Sequence, residues 1–514
     1  MKRSLSRRSL IQSAGATALA ASVARPALGG ADARPVPHGG WDAIVVGAGT
    51  VGLTLAIFAA ERRARVLLLD IADTTGGTLH VSTGQMSAAG TALQRSRGIV
   101  DTPQEHYDDL QRISRGTIDP VLSRLAVFNA APTFDWLVSR GFVPLPTHPV
   151  MGEAHEPYSK PRYYWGAEGG RAIMKVLQRE VQGPVDSGKV SILLKHDVFE
   201  LLQARDGRVR GVRARDESGV VREFTGRSVV LATGGYAGDP ATYARLTGRT
   251  QFVNLAYPHC RGRGVELGLA AGGTLRGMDN YMSNYGLVLT SDEYPAGVFA
   301  RPSDFPQKRK PWEIHVNAEG RRFVREDVPS VDAREQSLLW QTGGRRWIVF
   351  DEAILAAAPS VLQNFTREDL RGAFDVHPWF KRADSIGALA RAAGIDPAGL
   401  DGSVAMYNYG VKTGVDPLGR EHHPLPIARA PFYAIRTQAT AVTAAAGLTV
   451  DGSLRALRAD GSVIPNLYAA GEVLGAGSLQ GKAYSGGMMV TPALTFGRLL
   501  GEQWLPMGSG SARA

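Results

Sequence analysis

Gly47-Ala48-Gly49-Thr50-Val51-Gly52 is the stretch that decides the fold. It follows an apolar run, Trp41 to Val46, that reads as a buried strand, and it opens an apolar helix. A second apolar strand, Arg65 to Asp70, ends on an acidic residue 21 positions past Gly49. Strand, glycine turn, helix, strand and acid in that order form a dinucleotide fingerprint. Gly47 allows the tight turn, Gly49 lets the backbone approach a pyrophosphate, and Gly52 lets helix and strand pack closely. The phosphates would sit on the positive end of the helix, at Thr50 and Val51. Asp70 would accept hydrogen bonds from the adenosine ribose, and its charge would repel a 2′-phosphate.

Outward from this stretch, strands and helices alternate. Gly170 to Val181 reads as a helix, Val190 to Leu194 as a strand, Val198 to Phe224 as a hairpin turning at Asp206-Gly207 and Ser218-Gly219, and Ser228 to Ala232 as a strand. Such alternation predicts an α/β fold with a mostly parallel sheet. Between about Met278 and Thr440 the texture changes to more aromatics, more proline and two charged loops, Arg301 to Lys310 and Gly419 to His423. This reads as a second domain inserted into the first. The first pattern resumes at Leu467-Tyr468-Ala469-Ala470-Gly471 and closes with a helix from Pro492 to Trp504.

The chain has 514 residues, enough for two or three domains, with 44% hydrophobic and 21% charged residues, a globular mixture. Residues 1–33 have the parts of a twin-arginine export signal: Arg7-Arg8, an Ala-rich apolar run from Ala14 to Val23, and small residues around Ala27-Leu28-Gly29. The apolar run is too short for stable insertion in a bilayer, which takes roughly 20 residues. The expected location is therefore periplasmic or secreted, with the cofactor bound before export. Lys2, Arg3, Arg7, Arg8 and Arg25 against Asp32 account for +4 of the formal charge of +10. No clustered basic patch with interleaved aromatics remains, so nucleic acid is not an expected partner. The single cysteine, Cys260, excludes an internal disulfide, a cysteine-ligated iron–sulfur cluster and a covalent haem attachment motif. Electrons must then leave through a separate partner. No metal site is expected; His422-His423 reads as a solvated pair, with no further ligands at a useful spacing.

The fingerprint serves NAD and FAD alike. The rest of the chain resembles the fumarate reductase and 3-ketosteroid dehydrogenase superfamily of FAD proteins. The resemblance is carried by Gly76-Gly77 followed by Gly84-Gln85-Met86-Ser87-Ala88-Ala89, by Leu231-Ala232-Thr233-Gly234-Gly235, by Val316-Asn317-Ala318-Glu319-Gly320-Arg321-Arg322-Phe323, by Ala469-Ala470-Gly471-Glu472-Val473, and by the run from Gly486 to Arg498. It implies a Rossmann-like FAD-binding domain over 41–277 and 441–505, with an α+β capping domain, 278–440, closing over a small-molecule substrate. The implied FAD contacts add Gly77, Thr78, Gly84, Gln85, Val198, Ala232, Thr233, Gly234, Gly471, Glu472, Gly487, Met489 and Val490 to the fingerprint residues. Thr78 stands where members with covalent flavin carry histidine, and His80 is two residues away, so non-covalent FAD is expected.

Departures from the family pattern bear on the substrate. Fumarate reductases hold a dicarboxylate with histidines and arginines and protonate it from an arginine. Here those positions fall on Asn284, Thr443, Tyr484 and, for the proton donor, Ser330; Arg334 and Arg325 are the nearby cations. A dianion would meet too little positive charge. Tyr484 before Gly486-Gly487 resembles the carbonyl-polarising tyrosine of ketosteroid dehydrogenases. The expected chemistry is oxidation of a CH–CH bond beside the carbonyl of a cyclic or apolar ketone, with Tyr484 polarising the carbonyl, Tyr281, Tyr285 or Tyr164 as base, and hydride passing to flavin N5. Arg162-Tyr163-Tyr164-Trp165 is expected to form an aromatic wall. The alternatives are an exported ene-reductase of an unsaturated carboxylate or enone, fed by a cytochrome or quinone-linked carrier, and a non-enzymatic flavin carrier.

Overall fold

Trp41–Val46 lies between two parallel neighbours, Val66–Leu69 and Val221–Leu231, with Ala43 opposite both Val66 and Ser228. In the computed structural model, which describes residues 37–152, 155–303 and 305–506, Val190–Leu193 continues the parallel sheet on one side. Val463–Ala469 continues it on the other, pairing Leu467 with Val229, and Arg455–Leu457 edges it antiparallel. The expected export signal lies outside the described residues. Both faces of the sheet are covered, which is why its strands read as unbroken Val-Ile-Leu runs rather than alternating ones. The hairpin His196–Gln203 and Val209–Asp216 extends Val221–Leu231 away from the parallel part.

Helix Thr50–Glu61 is buried along nearly its whole length because Val490–Leu499 lies directly on it. Glycines set that approach: a Cβ at Gly497 would stand 2.7 Å from the Val51 carbonyl oxygen, and one at Gly501 2.4 Å from that of Leu55. Four helices that the hydrophobic pattern does not announce, Ala92–Ser96, Pro103–Ser114, Pro120–Phe128 and Ala130–Ser139, follow the glycine segment. Three begin on capping side chains, Thr91, Thr102 and Asp119.

The central part of the chain builds a four-stranded antiparallel sheet in the order Ile314–Val316, Arg345–Asp351, Phe432–Gln438, Phe380–Ala383. Its apolar core is separate from that of the parallel sheet. The first core draws on residues between 41 and 271 and between 441 and 505; the second runs from Val253 to Ile435. Val253 therefore packs with the second sheet although it precedes the change in sequence texture, because it forms a bridge to Ala296.

Candidate active site

A cavity of about 1090 Å³ opens at the carboxyl ends of the parallel strands, where Val46, Leu69 and Ala232 lie on its wall. This is where open α/β sheets bind ligands. All the cofactor positions expected from the sequence line it except Gly52. Gly52 sits beneath the turn, where a Cβ would fall 2.0 Å from the Gly47 carbonyl oxygen. Gly47 has φ +114, and a Cβ there would stand 2.3 Å from the Ala232 carbonyl oxygen. A Cβ at Gly49 would meet Gly77 Cα at 3.8 Å, so the turn keeps a bare backbone toward the cavity, as a pyrophosphate needs.

Asp70 has a second task that spacing does not reveal: its carboxylate accepts from Ala48 N at 2.6 Å and Ala72 N at 2.8 Å, bracing the turn from below. Burial raises its pKa against those bonds and the His259 charge. Glu472, whose pKa burial also raises, anchors one oxygen on Ala444 N at 3.0 Å while facing the cavity. The helix Val490–Leu499 begins at the wall and aims its positive end inward. These groups fit FAD: a glycine-lined cradle, two helix N-termini and an acidic residue at the ribose position. Thr78 faces the cavity, whereas His80 hydrogen-bonds the Thr75 carbonyl at 2.9 Å and stacks on Tyr257.

At the far end Tyr484 donates its hydroxyl to Gln85 Oε1 at 2.7 Å, with the Tyr163 hydroxyl 3.4 Å away. Burial raises the Tyr484 pKa, so the phenol keeps its proton. Its backbone N–H donates to Asp332 Oδ1 at 2.8 Å, and the His155 ring lies 4.5 Å from its own. Asn284 and Thr443 share this wall; exposed Arg301 also reaches the cavity. Ser330 does not, since its Oγ caps Val331–Leu339 by accepting from Ala333 N. Nor do Arg325, paired with Asp327 and Glu421, and Arg334, buried over the Tyr285 ring.

The three tyrosines expected as base are placed elsewhere. Tyr281 hydrogen-bonds the Tyr243 hydroxyl beneath Arg249; Tyr285 bonds His315 Nδ1 at 2.9 Å under the Arg346 guanidinium; Tyr164 is fully buried against Thr91 Oγ1 at 2.9 Å. Each hydroxyl meets a packing partner, the usual fate of a seam tyrosine. The aromatic wall is likewise a second layer: Arg162 holds Asp101 and Asp109, Tyr163 backs Tyr484, and Trp165 packs on His148. His422 and His423 are half-buried rather than solvated, His423 beside Asp416.

Three residues at the site had no signal in the sequence: His155, Asp332 and Glu335. They bring ligand-type atoms within 4.8 Å of one another. His155 Nδ1 donates to Asp332 Oδ1 at 3.2 Å, which orients the ring and favours its protonated form.

A parallel sheet whose carboxyl ends open into one large cavity, with Met282, Asn284, Leu287 and Thr440 of the central region on its wall, defines a dinucleotide-binding protein. The FAD binding domain family matches residues 42–489, and the chain belongs to it. It is 29% identical over 475 residues to a fumarate reductase (cytochrome) of Shewanella frigidimarina, covering 91% of this chain and 77% of that one. It is 27% identical over 474 residues to a urocanate reductase of Eggerthella lenta, covering 90% and 74%. A 3-ketosteroid Δ1-dehydrogenase from Sterolibacterium denitrificans shares the fold at TM-score 0.67 and 19% identity, covering 90% of this chain and 99% of that one. The protein is an FAD-dependent oxidoreductase acting on CH–CH or C=C bonds.

Proposed function

We propose that the protein reduces a carbon–carbon double bond conjugated to a carbonyl, in a substrate carrying at most one negative charge. The cavity wall carries this reading: Asn284, Thr443 and protonated Tyr484 are neutral, and Glu335 and Glu472 share the cavity with them. Of the other cations on the wall, Arg263 is paired with Asp197 and Glu266, Arg261 is turned onto the Pro258 carbonyl and His155 is neutralised by Asp332, so Arg301 suffices for one charge and a dicarboxylate would leave one carboxylate unpaired. On substrate binding the Tyr484 hydroxyl turns its proton from Gln85 Oε1 to the carbonyl and so draws electron density from the double bond. Bound FAD, once reduced, supplies the hydride. The direction is supported by relatives named as reductases and by the placement of all three candidate tyrosinate bases outside the cavity.

Dehydrogenation of a saturated cyclic ketone is the second reading, favoured by Tyr484 standing beside Gly487 on the same wall. In either direction the paired-arginine leader supports export in the folded state, and the single cysteine supports a separate cytochrome or quinone-linked carrier. No helix among the described residues is long and apolar enough to cross a membrane.

The test is anaerobic photoreduction of the flavin followed by fumarate, acrylate, urocanate and cyclic enones. Monoanionic or neutral acceptors are expected to restore the oxidised band roughly 100-fold faster than fumarate, the discrimination set by an unpaired carboxylate. Bleaching of the oxidised protein by saturated ketones would move the assignment to the dehydrogenase. Acid precipitation should leave the yellow colour entirely in the supernatant, because Thr78 offers no ring nitrogen and His80 is tied to Thr75; colour in the pellet would mean a covalent link.

A further inference from the structure

His155 and Asp332 meet from the two halves of the molecule. His155 precedes Tyr158, whose hydroxyl is hydrogen-bonded to the Gly486 carbonyl of the flavin side; Asp332 stands in the first turn of Val331–Leu339, on the cap side. Asp332 Oδ1 accepts from the Tyr484 N–H and from His155 Nδ1, while its Oδ2, buried, has no hydrogen-bond partner. A buried carboxylate with one bare oxygen needs a cation nearby. His155 Nε2 makes no hydrogen bond to any described residue, and the ring is part of the cavity wall beside Tyr484 and Glu335.

We propose that His155 is the proton donor of the reaction, delivering the Nε2 proton to the carbon next to the carbonyl, with Asp332 as its positioning residue. The inference rests on the double-bond reduction argued above. The π bond breaks and two C–H bonds form: the α carbon takes the His155 proton, and the β carbon would take the hydride that FAD supplies when bound and reduced. The imidazole is left neutral and is recharged from solvent.

The groups facing His155 are Asp332, Glu335, Arg334 and Tyr484. Burial and Arg334 press its pKa down, but the Asp332 hydrogen bond and the Glu335 and Asp332 charges raise it overall. The charged acid is thus present below that raised value and lost as pH climbs through it. Because His155 and Asp332 lie on different halves, the acid is complete only with the cap seated, which ties protonation to an enclosed substrate.

The test follows reoxidation of photoreduced holoenzyme by its best conjugated acceptor from pH 5 to 9. The wild-type rate should fall on an alkaline limb set by His155. His155→Asn and His155→Gln should lose about 100-fold and the limb with it, with flavin content and melting temperature unchanged, and added imidazole should restore part of the rate. Asp332→Asn should move the limb to lower pH. In the holoenzyme labelled at histidine Cε1, the resonance absent from His155→Asn should titrate above the ordinary imidazole range, and lower in Asp332→Asn. Reoxidation of wild type by no conjugated acceptor overturns the reduction itself, and the donor role with it. Reoxidation of wild type with His155→Asn within about threefold and an unchanged limb overturns His155 alone.

Discussion

Gly47→Ala is expected to yield protein that purifies with less than about a tenth of the wild-type flavin, read from the ratio of flavin to protein absorbance. The backbone at Gly47 has φ +114, where a side chain costs about 1–3 kcal/mol. The added methyl would also lie 2.3 Å from the oxygen and 2.8 Å from the carbon of the Ala232 carbonyl. That neighbour is backbone, following the parallel strand Val221–Leu231, and has no flexible end to swing aside. Relief therefore moves the turn, carrying Gly47 and Gly49 off the cradle. Gly98 is the control: its φ is +70 with nothing within 4 Å of a Cβ, so Gly98→Ala carries the backbone cost without the collision. It should keep its flavin. Full flavin in Gly47→Ala would show that the turn tolerates displacement and that the cradle lies elsewhere in the cavity.

Arg162→Ala should cost about 3–5 kcal/mol of stability at neutral pH, the loss typical of breaking a buried ion pair. The guanidinium is fully buried and donates to Asp101 at 2.7 and 3.0 Å and to Asp109 at 2.7 Å. Without it, two carboxylates remain in the interior. Asp109 is held below its usual pKa by Arg112, Ser159 and Arg162 against burial, so its stabilising contribution exists above the unfolded carboxylate value and fades as pH falls through the folded one. The variant's deficit should accordingly be largest near pH 7.5 and shrink below the ordinary carboxylate range, at about pH 3.5, where Asp109 begins to lose its charge in the wild type as well. Urea midpoints at the two values measure this. A deficit that grows with acidity would mean that Arg162 does not hold Asp109 charged.

The flavin side was legible because its determinants are local. A strand, a glycine turn, a helix and Asp70 lie within thirty residues, and backbone sterics assign each glycine its place. The capping boxes Thr91 with Gln94 and Thr102 with Glu105 were equally local signals for helices that hydrophobic periodicity alone passes over. The substrate side was not legible for the opposite reason. Tyr164, Tyr281 and Tyr285 have the right functional group, but which partner a hydroxyl meets is set by docking between distant segments. His155, Asp332 and Tyr484 converge from three separate regions, and nothing near His155 in the chain distinguishes it from a loop histidine.

The central sheet is stitched from segments more than 200 residues apart in the chain. Val463–Ala469 completes it beside Val221–Leu231, and Glu472, Met489 and Val490 finish the cradle. A ribosome adding roughly 5–20 residues per second therefore spends many seconds making the antiparallel sheet while Val221–Leu231 waits with one edge bare. During that interval the nascent chain has no closed pocket in which to retain a flavin. Cofactor capture is thus deferred until Val463–Ala469, Met489 and Val490 have been made, and the half-built sheet edge is the place where a chaperone, or an aggregate, would find it.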